Sequence, residues 1–333
     1  VIRRTLEFAE GSCTIAFQGG EPTLAGLDFF QKAVEMQQKY NNKKLQIENT
    51  IQTNGLLIDE KWARFLGEHR FLVGLSLDGP KKMHDRYRKD AAGQDTFARI
   101  MHSVQLLEQY HVDYNVVTVV TNDTAKQASF LYKFWKRNHY PFVQFIPCMD
   151  EIKRQDGTQE RSIYAVEPEQ YGKFLCELFD LWYADFAVGE AMDIRMFSNL
   201  AQMAAGYPAE ECGMNGCCNC YFVVEGDGSV YPCDFYCMDE WKLGTVNDGF
   251  VQMKTSEKAK AFVEASRPVC ATCQECPYFS LCRGGRRWRE PFVDGKPGLN
   301  QLCSAYRMFF AHTAERMERL GVYIRQKYAG SGK

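Results

Sequence analysis

The chain has 333 residues, 45 % of them apolar and 25 % charged, with a formal net charge of −2. That size supports about two domains with a real hydrophobic core, and the near-neutral charge gives no electrostatic footprint for nucleic acid or an anionic membrane. No apolar run approaches the ~18 residues of a membrane span, and 14 cysteines in a chain with its own core read as cytosolic metal thiolates rather than secreted disulfides.

In chain order, Thr14-Ile15-Ala16-Phe17 reads as a short buried strand ending at Gly19-Gly20. Phe29, Phe30, Ala33 and Val34 then mark one face of a helix. Leu45, Ile47 and Ile51 alternate as in a strand, and Asp59 is placed to cap a helix whose apolar face holds Trp62, Phe65 and Leu66. Residues 71–77 form a third strand, closed by Asp78-Gly79-Pro80. A helix follows through Phe97, Ile100, Met101, Val104 and Leu107. Residues 112–120 and 142–146 read as strands flanking a helix over 125–136, and 169–186 as a long aromatic-rich helix. Repeated β–α units predict a parallel sheet, open or barrel-shaped, with its chemistry at the C-terminal strand ends. From about residue 206 cysteine, glycine and short turns replace that rhythm, which predicts a second domain organised by metal.

The cysteines carry most of the functional information. Cys212, Cys218 and Cys233 are followed by Cys273, Cys276 and Cys282 in a C-x2-C-x5-C run, and then by Cys303. Close pairs let one tight turn supply two ligands, and a distant cysteine closes the cage, as an iron–sulfur cluster requires. Zinc is the competing occupant, because C-x2-C pairs also serve zinc ribbons. Cys13, Cys148 and Cys176 stand in apolar context and read as buried structural thiols.

Three further segments follow predicted strands: Phe17-Gln18-Gly19-Gly20-Glu21-Pro22, Gln52-Thr53-Asn54-Gly55 and Ser76-Leu77-Asp78-Gly79-Pro80. Together with Cys212-Gly213-Met214-Asn215-Gly216, the stretch Asp227 to Tyr236 and Leu281-Cys282-Arg283-Gly284-Gly285, they make the chain resemble the radical S-adenosylmethionine enzymes with a SPASM domain, and among these the anaerobic sulfatase-maturating enzymes. The resemblance implies a partial (β/α)6 TIM-like barrel over 1–205, missing its first β–α unit, and a cysteine-rich SPASM iron–sulfur domain over 206–333 that ends in a helix. It implies S-adenosylmethionine beside Gly19, Gly20 and Glu21, with Ser76, Arg88 and Met149 completing its contacts. Glycine lets a backbone approach the ligand, and a carboxylate can accept from its amino group. Asp234 would take a proton from the target cysteine or serine, with Gln18 as a hydrogen-bond partner to the substrate. For Arg88 the residues alone suggest an ion pair within the run Arg86 to Asp90, and for Asp234 a turn cap.

Two departures from the family pattern set further expectations. The C-x3-C-x2-C run that ligates the cofactor-binding cluster is absent from this sequence, which opens on Val1. The polypeptide as given is therefore expected to be truncated and unable to cleave S-adenosylmethionine. Arg286 stands near the position of an expected eighth cysteine. The first auxiliary [4Fe-4S] cluster would thus use Cys212, Cys218 and Cys233 with a fourth ligand among Cys217, Cys220, Cys237 and Cys270, and the second would use Cys273, Cys276, Cys282 and Cys303.

The expected activity of the whole protein is oxidation of a sulfatase cysteine or serine to Cα-formylglycine. The expected partners are an unfolded or nascent sulfatase peptide and a flavodoxin- or ferredoxin-type electron donor, with no nucleic acid or membrane, in the cytoplasm. Alternatives are a SPASM maturase of a ribosomal peptide and a non-catalytic metal-binding fragment.

Overall fold

The computed structural model describes residues 1–150, 162–285 and 298–330. The chain divides into two compact units, Val1–Val119 with Lys133–Ile146, and Val120–Tyr132 with Pro147–Lys333.

In the first unit, α1 (Ile2–Phe8) precedes β1 (Ser12–Phe17), α2 (Leu27–Tyr40), β2 (Gln46–Thr53), α3 (Glu60–Glu68), β3 (Leu72–Ser76), α4 (Lys81–Tyr87), α5 (Phe97–Gln109) and β4 (Tyr114–Val120). Next come α6 (Ala128–Arg137) and β5 (Phe142–Pro147). The expected parallel arrangement is present. β1 to β4 pair in parallel, with Phe17 opposite Ile51, Thr53 opposite Leu75, and Ser76 opposite Val117. The sixth strand, in the second unit, is two residues long and too short to leave a pattern in the sequence.

Alternation sorts the side chains. Ile51, Val73, Leu75 and Val116 are fully buried, whereas Gln52, Gly74, Ser76 and Asn115 point the other way and are half-buried. Phe17 packs on Phe30 at 4.9 Å and Phe30 on Trp62 at 5.1 Å, which seats α2 and α3 on the buried face. Asp59 caps α3 as expected, accepting from the Trp62 amide at 2.9 Å. Helices α1 and α4 were not expected, and the start of α6 also differs from expectation. Residues 124–127 form a 3-10 turn because the Thr121 hydroxyl takes the Thr124 amide at 3.2 Å, so the α-helix begins at Ala128.

The second unit continues with α7 (Pro168–Ala187), β6 (Asp193–Ile194) and α8 (Arg195–Ala204). Then come β7 (Val223–Val224), β8 (Ser229–Tyr231), β9 (Gly244–Thr245), α9 (Phe250–Thr255), α10 (Glu257–Glu264), α11 (Ala271–Gln274), α12 (Phe279–Cys282) and α13 (Cys303–Gly330). Its apolar core lies where α13 packs on α7 and α8, with Phe179, Phe197 and Phe309 mutually 5.2–5.7 Å apart. Close approach makes this possible: a Cβ on Gly321 would stand 2.6 Å from the Ala204 carbonyl oxygen. The cysteine-bearing part has a smaller core, in which Phe262 meets Tyr236 and Trp241 at 5.3 and 5.2 Å. β7, β8 and β9 form an antiparallel sheet beside it. Among the described residues, no helix is long and apolar enough to cross a membrane.

Candidate functional site

The chain directly after β1 turns through two glycines with positive φ, Gly19 at +89° and Gly20 at +49°, and a Cβ on either would meet nothing within 4 Å. Both are exposed, so their backbone can be approached closely. Glu21 fixes this loop. Its Oε1 accepts from the Thr23 amide at 3.0 Å, the Thr23 hydroxyl at 2.6 Å and the Thr53 hydroxyl at 2.7 Å, and its Oε2 accepts from the Asn54 amide at 2.7 Å. A carboxylate has about four acceptor sites. Glu21 thus ties the loop after β1 to the end of β2, a role that the sequence reading did not give it. Gln18, exposed, occupies the first position past β1.

At the end of β3, Ser76 accepts from Gln52 Nε2 at 3.2 Å. The Gln52 amide passes over Gly74, where a Cβ would come within 2.1 Å of Gln52 Oε1. Among the described residues, Asn115 Oδ1, next along that row, is buried without a hydrogen-bond partner.

Arg88 does not pair within residues 86–90. Its Nε and Nη2 fork onto Asp78 at 2.6 and 3.3 Å, and the Asp78 side chain is only 7 % exposed. Asp78 Oδ1 also accepts from the Val119 amide at 2.8 Å, so one carboxylate joins the ends of β3 and β4 to the loop bearing Arg88. His84 supports it from behind. Its Nδ1 accepts from the Asp78 amide at 3.2 Å, and its Nε2 meets the Thr96 hydroxyl at 3.0 Å. That hydroxyl donates to the Arg88 carbonyl at 2.8 Å, so the ring is the neutral Nε2–H tautomer. Burial lowers the His84 pKa to about 4, in keeping with a neutral ring.

Met149 belongs to the second unit. It directly follows Cys148, whose amide donates to the Val120 carbonyl at 2.9 Å and whose carbonyl accepts from Val166 at 2.8 Å.

Cys273, Cys276, Cys282 and Cys303 line one small cavity, with Tyr278, Phe279, Tyr306 and Phe310 as its apolar walls and Arg307 at its side. Burial, the largest cause, raises the Cys273 pKa to about 12 and that of Cys282 to about 11. A metal must displace those protons to bind. Four soft donors converging in an apolar pocket suit an iron–sulfur cluster. Among the described residues, no three Cys, His, Asp or Glu side chains stand close enough to share a single ion.

A fifth thiol, Cys270, lies 3.5 Å from Cys273. It is therefore placed at the second thiol set, although it was one candidate for completing the first. In that first set Cys233 is buried and Cys212 and Cys218 are half-buried, the Cys218 amide standing 2.8 Å from Ser266 Oγ. Cys237 sits one short turn past Cys233, its Sγ 3.6 Å from the Cys233 carbonyl oxygen. The loop after Cys282 returns toward the Cys212 segment: a Cβ on Gly216 would meet the Arg283 side chain at 3.4 Å, and one on Gly285 the Gly213 carbonyl at 3.8 Å. Arg286 lies outside the described residues. Of the three cysteines read as structural, Cys13 is buried beneath α1 with Leu6 and Leu45, while Cys148 and Cys176 are half-buried.

Asp234 opens a short turn directly after Cys233. Its carboxylate accepts from the Tyr221 hydroxyl, which also stands 3.2 Å from Cys233 Sγ. Burial and the Asp234 bond push the Tyr221 pKa well up, and burial raises that of Cys233 to about 11. Tyr221 escaped the sequence reading.

Residues 1–133 match the radical SAM superfamily, and residues 216–277 match the SPASM iron–sulfur cluster-binding domain. A cysteine-type anaerobic sulfatase-maturating enzyme of Clostridium perfringens is 45 % identical over 95 % of this chain and 85 % of its own length. A serine-type enzyme of Bacteroides thetaiotaomicron is 34 % identical over 91 % of this chain and 76 % of its own length. The solved structure of native anSMEcpe with bound AdoMet and Kp18Cys peptide superposes with a TM-score of 0.92 at 44 % identity, covering 97 % of this chain and 89 % of that one. Two-domain architecture, converging thiols and similarity along almost the whole chain agree, and the chain belongs to the anaerobic sulfatase-maturating enzymes, radical SAM enzymes whose cofactors are iron–sulfur clusters and S-adenosylmethionine.

Proposed function

We propose that the protein oxidises a cysteine of a sulfatase peptide to Cα-formylglycine. The observation that carries this reading is similarity to sulfatase-maturating enzymes along 95 % of the chain, and the higher identity to the cysteine-type relative supports cysteine over serine as the target. In the whole protein, S-adenosylmethionine and its cluster, whose C-x3-C-x2-C ligands are not among the residues of this sequence, would supply the radical that removes a hydrogen atom from the target's β-carbon.

The residues of this chain would divide the remaining work. Gly19 and Gly20 offer open backbone to the cofactor's methionine end, and Glu21 keeps that loop in place through four hydrogen bonds to its own chain. Ser76, Arg88 and Met149 bind the rest of the cofactor, with Arg88 oriented by its fork on Asp78. Gln18 hydrogen-bonds the substrate, and the Asp234 carboxylate takes the proton from its thiol; the remaining electron would pass to an auxiliary cluster, and water would then replace the sulfur, released as hydrogen sulfide. Cys273, Cys276, Cys282 and Cys303 hold one auxiliary cluster. Cys212, Cys218 and Cys233 hold another, with its fourth ligand among Cys217, Cys220 and Cys237. The domain boundary falls near residue 205. A flavodoxin- or ferredoxin-type donor supplies electrons in a cytoplasmic setting.

The test is anaerobic reconstitution of the protein from its complete reading frame, with S-adenosylmethionine, a reductant and a cysteine-bearing sulfatase peptide. Mass spectrometry should show the target cysteine converted to an aldehyde. Formation of 5′-deoxyadenosine with an unchanged peptide would overturn the substrate assignment while leaving the radical chemistry intact.

A further inference from the structure

Across the β7–β8 pair, Val223 faces Tyr231 and Val224 faces Val230. Beyond that pair the ladder slips by one residue between Val223 and Tyr221, whose amide donates to the Pro232 carbonyl at 3.2 Å rather than to its in-register partner. Between them Phe222 adopts a φ of +60°, a left-handed conformation that is unfavourable for a bulky side chain, and its ring packs on Phe250 at 5.0 Å. The chain is thus bent where Tyr221 must turn over Cys233 and Asp234.

The phenol then makes three contacts with one dipeptide. It donates to Asp234 Oδ1, accepts from the Asp234 amide at 3.2 Å, and lies 3.2 Å from Cys233 Sγ. Tyr221 is 45 % exposed, so ring burial alone does not account for its placement. An aspartate at the start of a turn ordinarily folds back onto nearby amides, a geometry useless for meeting a substrate. Proton transfer needs the acceptor oxygen within hydrogen-bond reach of the proton it takes.

We infer that Tyr221 is the positioning residue for Asp234, fixing its carboxylate in the orientation that meets the target side chain. This rests on the reading of Asp234 as the proton acceptor. Tyr221 does not itself touch the reacting atoms, and its effect is confined to how Asp234 is presented.

Tyr221→Phe and Asp234→Asn would each be prepared in the holoenzyme reconstituted from the complete reading frame. Four quantities are measured: iron content, 5′-deoxyadenosine formed, peptide oxidised, and equilibrium binding of two peptides that differ only in cysteine or alanine at the target position. The inference expects Y221F to keep its iron and its 5′-deoxyadenosine formation, and to oxidise about tenfold less peptide per 5′-deoxyadenosine. It also expects Y221F to lose preference for the cysteine peptide while binding the alanine peptide as the wild type does, a change that general loosening would not produce. D234N should lose about a hundredfold in peptide oxidation. If D234N oxidises peptide normally, the underlying reading fails and the inference with it. A damaged D234N beside a normal Y221F overturns the inference alone. Loss of iron in Y221F also overturns it, because Tyr221 would then support the thiol loop rather than the carboxylate.

Discussion

Replacing Glu21 with glutamine asks whether this residue serves the cofactor directly or serves the loop. The substitution keeps size and shape but turns one oxygen into an NH2 donor. Three donors converge on Oε1, two from Thr23 and one from Thr53, so the amide oxygen belongs there. The NH2 must then face the Asn54 amide, now 2.7 Å from Oε2, where two donors would oppose each other. A hydrogen bond to a charged acceptor contributes about 1.5–3 kcal/mol, and the orphaned amide keeps no compensation. A loss of about 2 kcal/mol corresponds to roughly 30-fold faster local opening. Hydrogen exchange of the holoenzyme, followed at peptides covering 50–56 without S-adenosylmethionine, should report that acceleration. Cofactor affinity should fall only modestly, through the displaced Gly19-Gly20 backbone. Unchanged exchange together with abolished S-adenosylmethionine binding would refute the reasoning and make the carboxylate a direct ligand.

Protonating His84 costs stability on the acid side. Its folded pKa of about 4 lies below the ordinary 6.5, so its contribution is fully present above about pH 6.5 and is lost as pH falls toward 4. Linkage puts the loss near 2 kcal/mol at about pH 5, and His84→Gln should flatten that part of the unfolding profile relative to wild type. Gly321→Ala should destabilise by about 1–3 kcal/mol, since its new Cβ would meet the Ala204 carbonyl at 2.6 Å; thermal unfolding would show the shift. Cys282→Ser should lower reconstituted iron by about four atoms per chain, whereas Cys176→Ser on α7 should leave iron unchanged.

Residues whose partners lie within a turn or a strand were legible in the sequence. Short apolar runs, and alternation at Leu45, Ile47 and Ile51, exposed β1 to β5, and the Asp59 cap could be read because its partner, Trp62, is three residues away. Thiol spacing likewise identified Cys273, Cys276 and Cys282 as neighbours, with Cys303 closing the set. Residues that act across long separations were not legible. Glu21 meets donors 32 and 33 residues downstream, and Arg88 turns back ten residues to Asp78, whereas the local charge run suggested nearer partners. Tyr221 lies just past strands only two and three residues long, where the ladder slips by one residue. The turn Gly226-Asp227-Gly228 between Val224 and Ser229 was the available signal, since a hairpin there brings the segment before Val223 alongside the Cys233 loop.

A common pattern joins the strand-end residues of the first unit. Glu21, Ser76 and Arg88 each carry a hydrogen bond from, or an ion pair to, a side chain on another segment of the same unit. Loops at strand ends lack the ladder that fixes strands, so their order must come from side chains. Ordering them before the ligand arrives removes an entropic cost that binding would otherwise carry. With the proposed cofactor contacts, polar residues here would answer two demands at once, contact with the cofactor and rigidity of the loop that makes the contact. The two can be separated at Arg88. Lysine there keeps the charge for a cofactor carboxylate but cannot fork onto Asp78. If rigidity dominates, Arg88→Lys should speed amide exchange at Val119, whose N–H shares Asp78 Oδ1, before it weakens binding of S-adenosylmethionine.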